Sequence, residues 1–306
     1  MTIAAGLLCK EGVLLCADTE LTDWETKSQG SKIRQTEFPG GKAVFAFAGN
    51  VRFAVATLQK FERALKEKHP KKLFDPLVVM EDVLEREYRR HVLKHPDSST
   101  NTDLHYSVLI ALWTPGGKVR LFISSYTVIS EVFDYEMMGI GEPLARHLVR
   151  PVHYKEMPYA EALPLATYAL RLVKDSIKDC DGLSVFSLLG NDGTISTVTS
   201  MHPGPCLQVE RYAKGYDFLT TRLLMGIANP RAEPQHVMMN VEIFKRNVDR
   251  IFQEMLAERM AREKEIEELN PRMSPTEVKQ LVAQLSMGLL PTPPPSPESP
   301  GGSGES

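Results

Sequence analysis

The order of periodicities along the chain predicts an α+β fold, a four-layer α-β-β-α sandwich. Three observations carry this. Strand-like runs, two helical runs, strand-like runs, two helical runs and a last strand-like pair follow one another. The strand-like runs are nearly continuous in apolar residues, as expected of sheets covered on both faces. Short glycine-bearing turns separate them.

The elements follow in order. Ile3 to Cys9 and Val13 to Ala17 read as a hairpin around Lys10-Glu11-Gly12. A polar stretch runs from Thr19 to Ser31. Lys32 to Thr36 and Ala43 to Ala48 form a second hairpin around Pro39-Gly40-Gly41. Val51, Val55, Leu58, Phe61 and Leu65 recur at helical spacing, and a second amphipathic run goes from Pro76 to about His95. Tyr106 to Trp113, Val119 to Ser124 and Val128 to Phe133 are strands. Pro143 to Val149 and Tyr159 to Val173 are helical. Leu183 to Leu189 and Thr194 to Val198 flank Gly190-Asn191-Asp192-Gly193, a strong hairpin signal. This domain is assigned to residues 2–230.

The character then changes. An apolar stripe through Val241, Phe244, Val248, Ile251, Met255 and Ile266 lies among charged residues and marks a long amphipathic helix. Ser274-Pro275-Thr276-Glu277 is a helix start with its own cap. Residues 231–290 therefore read as a helical extension. Residues 291–306 are almost wholly Pro, Ser, Gly, Thr and Glu, and are expected to stay disordered because they have nothing to bury.

Composition narrows the function classes. The 306 residues are 42% hydrophobic and 25% charged, with 36 basic against 39 acidic side chains and a net charge of −3. That balance demands neither nucleic acid nor an anionic membrane as partner. No apolar run reaches the ~20 residues that span a bilayer, and the first residues do not read as a signal peptide. Four scattered cysteines make no disulfide scaffold and no Cys/His set has zinc spacing, so no metal or cofactor is expected and the setting reads as cytoplasmic.

The N-terminus carries the chemistry. Met1 precedes the small residue Thr2, a context that permits removal of the initiator methionine. Thr2 would then hold an α-amine, with a pKa of roughly 7.7–8.0, beside its own hydroxyl. A hydroxyl needs such a base to act as a nucleophile. Taken alone, Thr2 reads as simply the start of a strand. Asp18 ends the second strand and Lys32 opens the third, so both are expected near Thr2 if the strands pair. A Lys ammonium there would lower the hydroxyl pKa, and Asp18 would hold it charged. The same two residues are equally an ordinary ion pair at a strand end.

Thr2, the run Gly-Val-Leu-Leu-Cys-Ala-Asp-Thr at 12–19, Gly-Ser-Lys-Ile at 30–33 and Ala-Phe-Ala-Gly-Asn at 46–50 together resemble a proteasome β-type subunit, including the bacterial HslV-like forms. Leu58 to Leu65 resembles the first HslV helix, and Met-Gly-Ile-Gly-Glu-Pro at 138–143 the glycine turn before the third helix. The resemblance spans about residues 2 to 200 and implies an N-terminal nucleophile (Ntn) hydrolase fold. It implies a threonine-type peptidase acting on peptide or unfolded protein inside a homo-oligomeric ring, with an ATPase or other protein as a possible partner through the C-terminal helices. Thr2 would be the nucleophile, Asp18 and Lys32 the supporting pair (Lys27 a substitute for Lys32), and Gly49 the oxyanion donor. Asp179 would match an acidic residue of the family site. Two positions depart: Ile140 stands where the family carries Ser, and Asp179-Cys180-Asp181-Gly182 lacks the family's second Ser. The alternatives are a non-catalytic scaffold and a small-molecule Ntn amidase.

Overall fold

β1 (Ile3–Cys9) and β2 (Gly12–Asp18) form the expected hairpin, with Ala4 opposite Ala17 and Cys9 opposite Gly12. The computed structural model describes residues 2–23, 26–67, 75–95, 104–201, 205–228, 233–270 and 273–286. Met1 and the Pro/Ser-rich segment 291–306 lie outside the described residues.

Two five-stranded antiparallel sheets hold the remaining long strands. One has the order β10-β1-β2-β11-β12, with β10 at Tyr135–Gly139, β11 at Ser184–Gly190 and β12 at Ile195–Thr199. The other runs β5-β6-β7-β8-β9, from Ile33–Phe38 through Gly41–Gly49, Tyr106–Trp113 and Arg120–Ser125 to Val128–Val132.

Side chains alternate across the strands, and in the central strands β1, β2, β6, β7 and β11 both faces are buried. In β1, Ile3, Ala5 and Leu7 meet a cluster with Leu163, Ala166, Leu170 and Val173 of α4 (Tyr159–Ser176), while Ala4 joins a second cluster with Val44, Ala46 and Leu109 of the other sheet. In β6, Phe45 and Phe47 turn the other way, onto Leu58, Phe61 and Met80 of α1 (Val51–Lys66) and α2 (Pro76–Glu87). Burial on both faces is why these strands read as unbroken apolar runs. Asn50 caps α1 by accepting from the Phe53 N–H at 3.1 Å, and Asp75 caps α2 from the Leu77 N–H at 2.9 Å.

Several elements differ from the sequence reading. The polar stretch 19–31 contains a small hairpin, β3 (Glu20–Asp23) with β4 (Thr26–Gln29). Residues 135–139 form β10 on the edge of β1 before the expected glycine turn. The second helix stops at Glu87 and passes into a π-helical turn over Tyr88–Val92. A helix not expected from the pattern, α5 (Pro205–Ala228), packs on α4. Beyond α3 (Glu142–Val149), the long helix α6 (Pro234–Leu269) begins seven residues before Val241, and α7 (Pro275–Ser286) packs back on it. The predicted cap of α7 forms reciprocally. The Glu277 N–H donates to Ser274 Oγ at 3.3 Å, and the Ser274 N–H to Glu277 Oε2 at 2.7 Å. No helix of the described residues is long and apolar enough to cross a membrane.

Phe186 of β11 is fully buried between β2 and the helical face, whereas Phe133 is 78% exposed. Phe186→Ala is expected to lower stability by about 3–5 kcal/mol. Phe133→Ala is expected to change it by less than about 0.5 kcal/mol. Urea unfolding midpoints of the two variants check this.

Candidate functional site

The site forms where β1 begins and β2 ends. In the β1–β2 ladder Asp18 falls one step beyond Ala17, beside Ile3. Its Oδ1 accepts from the Ile3 N–H at 3.0 Å and from Lys32 Nζ at 2.7 Å. Both charged side chains are fully buried. Lys32 enters from the other sheet, one residue before β5. Ser31 Oγ, accepting from the Ile33 N–H at 3.2 Å, helps hold that turn. Thr2, 2% exposed, precedes the residue whose N–H Asp18 holds.

Burial pushes the Asp18 carboxyl above its ordinary range and the Lys32 ammonium below its own, and each charge works against that shift in the other. Asp18 Oδ2 and the Oγ of Ser184, which pairs opposite Asp18 on β11, are buried with no hydrogen-bond partner among the described residues.

Two glycines let backbone close on this point. At Gly139, φ +100°, a Cβ would stand 2.1 Å from the Thr2 carbonyl oxygen and 3.5 Å from Ala48 Cβ. The strand ending in Ala48-Gly49 therefore reaches the same place as Thr2. Gly49 itself, φ +95°, has the His105 carbonyl oxygen 2.3 Å from where a Cβ would be. It is exposed, and Asn50 behind it opens α1.

The structure thus brings Thr2, Asp18, Lys32 and Gly49 to one end of the two sheets. It separates the other candidates. Lys27 pairs with Glu20 at 2.6 Å and donates to the Lys178 carbonyl at 3.2 Å, so it does not substitute for Lys32. Asp179 is half-buried and faces the charge of Lys27. Its neighbour Cys180 is the residue that stands within electrostatic reach of Asp18 and Lys32. Cys180 is 1% exposed, and burial pushes its thiol up to about 12, so it sits there uncharged. The sequence reading missed Cys180 and Ser184. Only the pairing of β11 with β2 brings them to Asp18, and no local pattern announces a pairing so distant in sequence. The loop behind them is fastened to the end of β2 by Leu183 N–H donating to Thr19 Oγ1 at 2.9 Å. Ile140 is 44% exposed.

No family model matches the chain, and no curated protein matches it significantly. Solved structures do match in fold. Anbu (ancestral beta-subunit) from Yersinia bercovieri aligns with a TM-score of 0.61 at 13% identity, over 76% of this chain and 99% of its own. Anbu from Hyphomicrobium sp. strain MC1 aligns at 0.60 and 13%, over 75% and 100%. A structure described as a helical assembly of the Anbu complex from Pseudomonas aeruginosa aligns at 0.61 and 12%, over 72% and 96%. These neighbours correct the resemblance read from sequence. Anbu is proteasome-like but a distinct family from the β-type and HslV-like subunits. About a quarter of the chain lies beyond each match. What the likeness supports is a mixed fold of helices and antiparallel sheets, the proteasome-like fold of the Anbu structures.

Proposed function

We propose that this chain is an N-terminal-threonine amide hydrolase built on an αββα Ntn sandwich, acting on peptide or unfolded protein within a homo-oligomeric assembly. The observation that carries the reading is the fully buried Asp18–Lys32 pair, whose carboxylate also holds the N–H of the residue after Thr2. In this reading Met1 is removed and the freed α-amine of Thr2 takes the hydroxyl proton. The alkoxide adds to the substrate carbonyl, and the oxyanion is held by the Gly49 N–H. The ammonium returns the proton to the departing amine, leaving an ester on Thr2. Water, deprotonated by the same amine, then cleaves that ester. Lys32 favours the alkoxide electrostatically, and Asp18 keeps Lys32 charged and placed. Asp179, which the structure sets facing the charge of Lys27, takes no step in this reading.

Residues 2–230 form the hydrolase unit in this proposal, and 231–290 the assembly unit. Leu224, Met225 and Ile227 of α5 and Met238, Phe252 and Met260 of α6 are each more than half exposed. Such an apolar surface calls for cover, and a second copy of the chain is the proposed cover. Four free, buried cysteines suit a reducing, cytoplasmic setting. A non-catalytic scaffold is the second reading, favoured by Ile140 where the resemblance implies Ser.

The decisive test is at Thr2. Intact mass is expected to show loss of Met1, and a β-lactone or epoxyketone to add once per chain at Thr2. Thr2→Ala is expected to abolish labelling and hydrolysis with assembly intact, and Thr2→Ser to keep some labelling. Retained Met1, or labelling that survives Thr2→Ala, selects the scaffold. Because Asp18 and Lys32 are fully buried, Lys32→Ala leaves an unpaired carboxylate and is expected to cost about 3–5 kcal/mol. The neutral double variant Asp18→Asn/Lys32→Met is expected to fold and to lack activity.

The pH profile follows from the same two groups. Activity rises with pH as the α-amine loses its proton, and falls as Lys32 loses its charge. The Lys32 pKa is lowered, so the alkaline limb is expected below the ordinary lysine value of 10.5. Lys32→Arg is expected to move that limb upward, read from kcat/KM against pH. Deleting everything from residue 234 onward is expected to change the sedimentation profile, whereas deleting 291–306 leaves it and the melting temperature unchanged.

A further inference from the structure

The helical face over the second sheet carries a charge pattern that the proposed chemistry does not use. Among the described residues of 51–95, 8 Lys and Arg stand against 7 Asp and Glu. Four of the basic residues converge. A cavity of about 470 Å3 between α1 and α2 is lined by Lys60, Arg63, Arg86 and Arg90, with Glu67 and Glu87 as its acids and Ala64 and Val83 as its apolar lining. The lining carries a net +2.

The acids do not neutralise the guanidinium groups. The Glu87 carboxylate is taken by Lys60 Nζ in a short ion pair and by His91 Nε2 at 3.4 Å. Among the described residues, Arg86 donates only to the backbone carbonyl of Asp82, at 3.1 Å. The side chains of Arg63 and Arg90 make no hydrogen bond or ion pair among the described residues. Elsewhere arginines are mostly matched: Arg89 with Glu85, Arg146 with Glu136 and Glu142, Arg171 with Asp175 and Glu210, Arg211 with Glu258.

Arg63 and Arg86 each lie in the last turn of their helix, where a cation is favoured by the dipole. That accounts for them singly. It does not account for three unmatched guanidinium groups from two helices on one concave wall, where like charges repel and the cleft focuses their field. Guanidinium forks match the oxygens of carboxylate and phosphate in geometry. Three forks around one cavity exceed what the two oxygens of a carboxylate engage, and the net +2 equals the charge of a phosphate group near neutral pH. Ala64 supplies the room, since a longer side chain there would project into the cavity.

We propose that the α1–α2 cavity is a phosphate-binding site, with Arg63, Arg86 and Arg90 as its donors. The phosphate could be carried by a free compound or by a phosphorylated side chain, and the experiment separates them. Inorganic pyrophosphate, a phosphoserine peptide, its unphosphorylated form and tricarballylate are each titrated into the full chain at 0.15 M salt by isothermal calorimetry.

Saturable binding of pyrophosphate, of the phosphoserine peptide or of both, with a Kd under about 1 mM, is the expected result. The unphosphorylated peptide is expected not to bind, and tricarballylate to bind more weakly than either phosphate probe. Pyrophosphate alone assigns the site to free phosphate compounds. A phosphopeptide that binds as well as or better than pyrophosphate assigns it to phosphorylated protein. Arg63→Gln, Arg86→Gln and Arg90→Gln, all at exposed positions, are each expected to weaken binding about tenfold. Ala64→Gln is expected to weaken it by volume with the net charge unchanged, and Arg259→Gln, on α6, to leave it alone. The proposal is overturned if neither phosphate probe binds, if tricarballylate or the unphosphorylated peptide binds as tightly, or if Arg259→Gln weakens binding as much as the cavity variants.

Discussion

One ion pair sets the terms for the end of the molecule where the chain begins. Asp18 and Lys32 meet at 2.7 Å with neither side chain touching solvent. Taking two such charges out of water costs several kcal/mol per ion, and their attraction returns that only with close geometry and added hydrogen bonds. Here the added bond comes from the Ile3 N–H. The pair therefore fixes three things at once: the last residue of β2, the first step of β1 and the entry to β5 in the opposite sheet. A matched apolar pair would serve stability as well or better. A buried cation next to a candidate nucleophile is instead the kind of perturbed pair found where charge is used in chemistry, which is the ground of the proposed function.

The second constraint is backbone proximity. Strands of both sheets converge on Thr2, and there is no space between them for side chains at two positions. Gly139 lies against the Thr2 carbonyl, and Gly49 against the His105 carbonyl. Each sits at a positive φ, so the close approach and the turn are bought together by the absence of a Cβ. The consequence is rigidity: the residue carrying the hydroxyl is held by β10 on one side and by the carboxylate of β2 on the other.

How much of this was legible follows the range of each signal. The central strands of both sheets could be read because burial on two faces leaves an unbroken apolar run, and the turn at Gly190–Gly193 and the cap of α7 because their chemistry is local. The positions of Asp18, Lys32 and Gly49 could be read because each lies at a strand end of one of two short hairpins, and the third leads straight into a helix. The β3–β4 hairpin could not, since its strands are polar and no glycine marks its turn. β10 was hidden within a run read for its glycines. α5 was missed because its two glycines, Gly215 and Gly226, and its threonine pair break the helical pattern that packing on α4 restores. Cys180 and Ser184 depend on the β2–β11 pairing, and choosing Lys32 over Lys27 depends on Glu20 being placed to take the latter. The family resemblance is corrected by the Anbu structures, a proteasome-like but distinct family.

What distinguishes this chain must then lie where the fold leaves freedom. The turn after β10 shows where that is. Gly139 is fixed by the Thr2 carbonyl, and Gly141 by Val173 and Ile3, whose atoms would stand 2.5 and 2.9 Å from an added Cβ. Between them Ile140 touches no such limit and is 44% exposed. Packing within one chain therefore does not select an isoleucine there, and an exposed apolar side chain gains nothing by facing water. Whatever an isoleucine does at that turn, it does toward solvent or a neighbouring molecule. In the proposed function the start of β1 is then held by the buried carboxylate of Asp18, through the N–H of Ile3, and not by a side chain from this turn.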